Sequence, residues 1–183
     1  MNREDVVASI KANVEDDNLI KHMLATEAIM KALARRLKEN EEEWGLVGLM
    51  HDIDVELTER EPQAHSKLGA DLAKELGASE AMYHAILCHN EAHGIPCDTL
   101  LDKALFCADP LTGLITAAAL VRPGKSLAGL TTESLMKRFR EKRFATGASR
   151  ESIASCQEIG IGLEEFLSLG LAAMKDVAPD LGL

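Results

Sequence analysis

Apolar residues recur at helical spacing along almost all of this 183-residue chain. Residues 3–14 make a short amphipathic start. Leu19, Ile20, Met23, Leu24, Ala28, Ile29, Leu33 and Leu37 then return every three or four positions, as one buried helix face requires. Asn40-Glu41-Glu42-Glu43 is expected to end that second helix, and residues 45–51 resume as a short buried one. Thr58 to Gln63, with Pro62 inside, reads as a loop before a helix over Ala64–Leu76 that Gly77 ends. Ser79 is placed to cap Glu80–Cys88. A loop through Gly94-Ile95-Pro96 precedes a long helix from Thr99 to Val121, with Pro110 as a point of bending and Arg122-Pro123-Gly124 as its break. Helices near 131–144, 149–159 and 163–177 complete the chain, capped by Thr131 or Thr132 and by Ser149. No strand-like alternation of useful length and no internal repeat occurs, so the expected class is all-α.

The length fits one domain over residues 1–183 with enough chain to bury a core unaided, so any bound metal is expected to serve chemistry rather than folding. Cys88, Cys97, Cys107 and Cys156 have no CxxC spacing and read as reduced thiols. The amino terminus has no apolar signal-like stretch and no run of about 18 apolar residues occurs, so a cytoplasmic protein without a membrane partner is expected. The formal charge of −10 and the 3% aromatic content argue against nucleic acid as a partner. The charge is uneven, because residues 122–150 hold eight Lys/Arg against two Asp/Glu. That local +6 is either a solvated helix face or a patch for a small phosphorylated substrate, and Arg122, Lys142, Arg143 and Arg150, together with Lys103, are its candidate binding residues.

The most informative chemistry is the doublet His51-Asp52 at the end of an apolar run, with His22 upstream and His65, His89 and Asp109 downstream. Imidazole and carboxylate together suit iron, manganese, nickel or zinc rather than a soft-metal site. Read alone, any one histidine is more often a surface or hydrogen-bonded core residue than a ligand. His84 and His93 keep that ordinary reading, and His84 with Cys88 at i, i+4 lacks the third thiolate that would make a zinc site. Glu91 is a candidate to accept a proton or to orient a ligand. Asp54 and Glu56, flanking the doublet, are candidates to orient a ligand or donate a proton to a leaving group. No GxxxxGK[ST] loop and no dinucleotide glycine fingerprint is present.

The order His22, His51-Asp52, His65, His89, Asp109 resembles the HD superfamily of metal-dependent phosphohydrolases over roughly residues 15–121. His51-Asp52-Ile53 stands where the HDIG-type segment lies. His65-Ser66-Lys67-Leu68-Gly69-Ala70 resembles the family's H-x-x-x-G-A segment, and His89-Asn90-Glu91-Ala92-His93-Gly94 its H-H-E-x-x-D-G segment. Residues 121–125 and 143–150 are similar to a small bacterial subgroup of predicted HD hydrolases. The resemblance implies an all-α HD-domain helical bundle with a C-terminal helical extension over about 122–183. It also implies one or two divalent metal ions: His22, His51, Asp52 and Asp109 would hold one, and Asp52, His65 and His89 the second. Asp52 would then bridge the ions and share in catalysis, a water between them would lose its proton near neutral pH, and a phosphate ester would be hydrolysed.

Departures from the family's patterns narrow the expectation. Val55 stands where the HDIGK form has a lysine, and Asp54 replaces its glycine. Asn90 replaces the second histidine of the HD-GYP subgroup, and Gly94-Ile95-Pro96 lacks its Gly-Tyr-Pro wording, which disfavours a trinuclear cyclic-dinucleotide phosphodiesterase. The expected activity is hydrolysis of a small phosphate ester or nucleotide. Two alternatives remain at this point: a di-iron oxygenase of the same fold, and a non-catalytic HD binding or signalling module.

Overall fold

The computed structural model describes residues 1–183 as ten α-helices and two 3-10 turns without a strand, so the chain is all-α. The helices are α1 (Arg3–Asn13), α2 (Asp17–Leu37), α3 (Glu41–Met50), α4 (Lys67–Glu75), α5 (Glu80–Cys88), α6 (Leu100–Leu120), α7 (Thr132–Arg140), α8 (Arg150–Ala154), α9 (Leu163–Asp176) and α10 (Ala178–Leu181). The 3-10 turns are Glu91–His93 and Ser155–Ile159.

Side-chain caps account for most of the starts. Asp16 accepts from the Asn18 amide at α2, Ser79 from Met82 at α5, and Thr99 with Asp102 forms a reciprocal capping box at α6. The acidic run does not end α2 as expected. Lys38, in the left-handed region at φ 63°, ends it. Asn40 instead caps α3, whose first turn carries Glu41, Glu42 and Glu43 against the positive end of the helix dipole. The helix expected from Ala64 starts only at Lys67, because Ser66 sits at φ 67°, so His65 is presented from a turn. The helix expected to reach 144 ends at Arg140.

The two 21-residue helices α2 and α6 form the centre, with α3 packed along α2 and α5 against α6. Buried side chains run continuously from Val6 to Leu181: α9 packs on α2, and α8 on α6, so the residues after 122 share the core of those before it. Helix α6 continues through Pro110 and is long and apolar enough to cross a membrane, yet more than half of its apolar window is buried within the bundle. Helices α2 and α3 meet closely at Gly48, where a Cβ would come within 2.9 Å of the Thr26 carbonyl.

A Gly48→Ala substitution should therefore lower stability by about 1–3 kcal/mol, overcoming a helix-propensity gain of about 1 kcal/mol. The melting temperature should fall by about 2–4 °C per kcal/mol lost. Gly113→Ala, whose added carbon meets only the Ala148 methyl at 3.9 Å, should melt at or above the wild-type temperature. Equal melting temperatures for the two variants would contradict this account of the contact.

Candidate metal centre

The six residues singled out in the sequence converge from four helices and one turn. His22 comes from the first half of α2, His51 and Asp52 from the end of α3, His89 from the end of α5, Asp109 from mid-α6, and His65 from the turn before α4. His22 Nε2 lies 3.2 Å from His51 Nε2, 3.3 Å from Asp52 Oδ2 and 3.0 Å from Asp109 Oδ1. The other Asp52 oxygen, Oδ1, lies 3.4 Å from His65 Nε2 and 3.5 Å from His89 Nε2. Neighbouring rings in the series His22, His51, His89, His65 stand edge to face, with centroids 5.1–5.2 Å apart.

All four histidines turn the same nitrogen inward, and their outer partners dictate why. Carbonyls and carboxylates only accept, so His51 Nδ1 donates to Gly48 O at 2.8 Å, His89 Nδ1 to Ile86 O at 2.6 Å, and His65 Nδ1 to Asp54 Oδ1 at 2.8 Å. The Thr112 hydroxyl spends its proton on Asp109 O and so accepts from His22 Nδ1 at 2.8 Å. Each neutral ring then presents an unprotonated Nε2 to the centre. This is the tautomer a metal-ligating histidine needs, fixed by the outer partner that such ligands ordinarily have. Four nitrogens and two carboxylates in this arrangement fit one or two divalent cations of the borderline or harder kind.

Without a metal ion the same negative field would gather a proton. Burial pushes the His22 imidazole down, but the Asp109 and Asp52 carboxylates overcome it and hold the group up at about 10. Burial works against the charge of Asp52 and Asp109 as well. The histidines around them, chiefly His51 and His22 for Asp52 and His22 and His51 for Asp109, nevertheless hold both carboxyls below the usual range.

The flanking candidates have other positions. Asp54 is fully buried and spends its second oxygen on the Gly69 amide at 2.7 Å, so it orients His65 and is not open to a leaving group. Glu56 accepts from the Glu15 and Asp16 amides, tying the turn after the doublet to the start of α2. Asn90 donates to Pro62 O and His65 O, and His93 Nε2 donates to His65 O at 2.7 Å, which clamps the His65 turn. Glu91 and Lys103 line a different cavity beside Cys88, where Lys103 faces Glu158 at 3.5 Å.

The centre opens at His22 and Asp109, 25% and 32% exposed, while His51 is wholly covered. Two cavities of about 390 and 290 Å³ share His22 and Gly113. The larger is bordered by Lys21 and α10, the smaller by Asp109 and the 145–148 loop. The basic segment thus does reach the centre, but through its uncharged residues Ala145, Gly147 and Ala148. The Arg150 guanidinium donates to the carbonyls of Phe139, Phe144, Ala145 and Ala148, so it shapes the wall and has no fork left for a phosphate. Lys142 and Arg143 are exposed, and Arg122 packs over Gly129. Thr112, Lys21 and the Gly48 and Ile86 carbonyls were not singled out in the sequence. Only the i, i+3 spacing of Asp109 and Thr112 carried a signal.

Residues 19–114 match the family model described as HD domain. The chain is 31% identical to a ribonuclease Y of Oleidesulfovibrio alaskensis over 52% of its own length and 18% of the relative's. It is 29% identical to that of Lawsonia intracellularis over 80% and 26%, and 26% identical to that of Syntrophotalea carbinolica over 87% and 28%. The chain therefore spans well under a third of these curated relatives. No solved structure matches it.

The pH dependence of the metal-free chain follows from the shifts. The raised His22 contributes stability that is complete below its unfolded value of 6.5 and lost as pH rises toward about 10, while the depressed Asp52 and Asp109 contribute above about 3.8 and lose it as pH falls. In chelator, the denaturation midpoint should drop between pH 6.5 and 10, and excess divalent metal should remove that drop because the ion replaces the proton. A midpoint in chelator that is flat across this range would contradict the assignment.

Proposed function

The chain belongs to the HD-domain family, and from that premise we propose that it is a dinuclear metal-dependent phosphohydrolase acting on a small phosphate ester or nucleotide. The observation that carries the reading is the division of Asp52, with Oδ2 among His22 and His51 and Oδ1 among His65 and His89. Two bound divalent ions would supply a water of lowered pKa and neutralise charge on the phosphoryl group. The protein's part is to fix the ligand atoms through Gly48, Ile86, Asp54 and Thr112, to leave one open side at His22 and Asp109, and to offer Lys21 as a cation beside that opening.

The cavities at the opening are of the size that takes small ligands, which supports a short substrate. A second reading, cleavage of an RNA phosphodiester, is favoured by the relatives named ribonuclease Y. The acidic balance of the chain weighs against a long polyanion.

Protein loaded in turn with manganese, iron, nickel and zinc should hydrolyse members of a panel of phosphomonoesters, nucleotides and short RNAs. His65→Ala and His89→Ala should each lower bound metal by about one equivalent, and Asp52→Ala should affect both. Lys21→Ala should raise KM about tenfold at unchanged metal content, the size expected for one charge-assisted hydrogen bond. Turnover of RNA but of no small ester would select the second reading. Failure of the wild-type protein to bind any of the four metals would end both.

A further inference from the structure

Beside α5, apart from the six residues of the His/Asp centre, four more metal-ligating side chains gather. His84 and Cys88 lie one turn apart on α5, Asp102 is in the first turn of α6, and Cys97 is in the connection between them. The donor atoms of His84, Cys88 and Asp102 all lie within 4.8 Å of one another, and Cys97 Sγ lies 3.2 Å from Cys88 Sγ. The third soft-ligand position that the sequence of α5 lacks is thus supplied from the following loop.

Asp102 gives the independent sign that the cluster is built for a ligand. It is fully buried, and its Oδ2 accepts from the Asp98 and Thr99 amides and from His84 Nδ1 at 3.0 Å. Its Oδ1 is also buried and has no partner. A buried carboxylate oxygen without a partner is costly, and capping α6 requires only the other oxygen. We propose that His84, Cys88, Cys97 and Asp102 form a second metal site for a zinc-like divalent ion, distinct from the His/Asp centre.

The donor set of two sulfurs, one nitrogen and one oxygen matches a closed tetrahedral zinc site. Standard bond lengths place S···S near ~3.8 Å and N···O near ~3.3 Å in such a site. Two separations in the structure, 3.2 Å between the sulfurs and 3.0 Å from His84 Nδ1 to Asp102 Oδ2, lie within about 0.6 Å of those values. On binding, the cysteine thiols release their protons to solvent, His84 turns its Nδ1 lone pair to the ion, and no redox step is involved. A cavity of about 340 Å³ lined by both cysteines gives the ion a way in. Because His89 follows Cys88 directly, the ion would pin the end of α5 from which His89 reaches the other centre.

Cobalt(II) titration of the full chain in a phosphine reductant tests the site, because the His/Asp centre contains no sulfur and cannot give a thiolate-to-cobalt charge-transfer band in the near ultraviolet. The wild-type protein should develop that band to about one equivalent, and Asp52→Ala should retain it. Cys97→Ser, at a partly exposed position, should lose most of it while keeping its helical circular dichroism, as should His84→Ala. The proposal is overturned if reduced wild-type protein shows no such band, if Cys97→Ser and His84→Ala both keep it, or if the cysteines prove to be joined as a disulfide and reduction produces no cobalt site.

Discussion

Four imidazole nitrogens with outward-facing protons and two carboxylates, drawn together within about 3–4 Å contacts, cannot be held in a protein interior without positive charge among them. That electrostatic demand organises the bundle. Each histidine is aimed by a partner behind it, three of them on α3, α5 and α6 and the fourth, Asp54, in the turn after the doublet, and each must sit correctly before the centre exists. A proton on His22 meets the demand only in part. Divalent cations would meet it in full, and the groups that could hold them are placed by the same contacts that assemble α2, α3, α5 and α6.

Helix ends do much of this aiming. His51 and His89 each close a helix, and each donates Nδ1–H to the carbonyl three residues back, at Gly48 and Ile86. Those carbonyls belong to the last turn and have no intrahelical donor. One bond therefore satisfies an orphan acceptor, sets the ring orientation and selects the tautomer. His65 has no helix end to use. Its turn is held instead by Asn90 and His93 from the segment after α5 and by Asp54 from behind.

The cluster of candidate ligands was legible in the sequence because it is carried by residue types in a fixed order, and the helical periodicity marked nearly every element. Boundaries were less legible, and for physical reasons. Asn40 followed by three glutamates reads as a polar stop, but the same residues are a cap and a dipole-favoured first turn, and the left-handed Lys38 that decides between the two leaves no mark in composition. Arg150 shows the harder limit. Its charge and place in a basic run suggested phosphate, whereas its guanidinium is consumed by carbonyls that only the folded 139–148 segment brings to it. Cys97 was unreadable as a partner of Cys88 because their approach depends on how the chain returns from the end of α5 to the start of α6.

The acidity of the chain and the proposed action on a phosphate ester would be reconciled by bound metal ions. A formal charge of −10 repels a phosphate ester at long range, and the centre adds two carboxylates at its floor. Two divalent ions would bring roughly four positive charges to that point and reverse the local sign. Lys21 lies on the rim of the same opening, and the 145–148 wall is closed by Arg150 through backbone contacts. Attraction of the proposed anionic substrate would then depend on metal occupancy, since the lining of the opening supplies one lysine and no other Lys or Arg. In such an arrangement bound metals would serve binding as much as chemistry, and a metal-free molecule would discriminate against the proposed substrate.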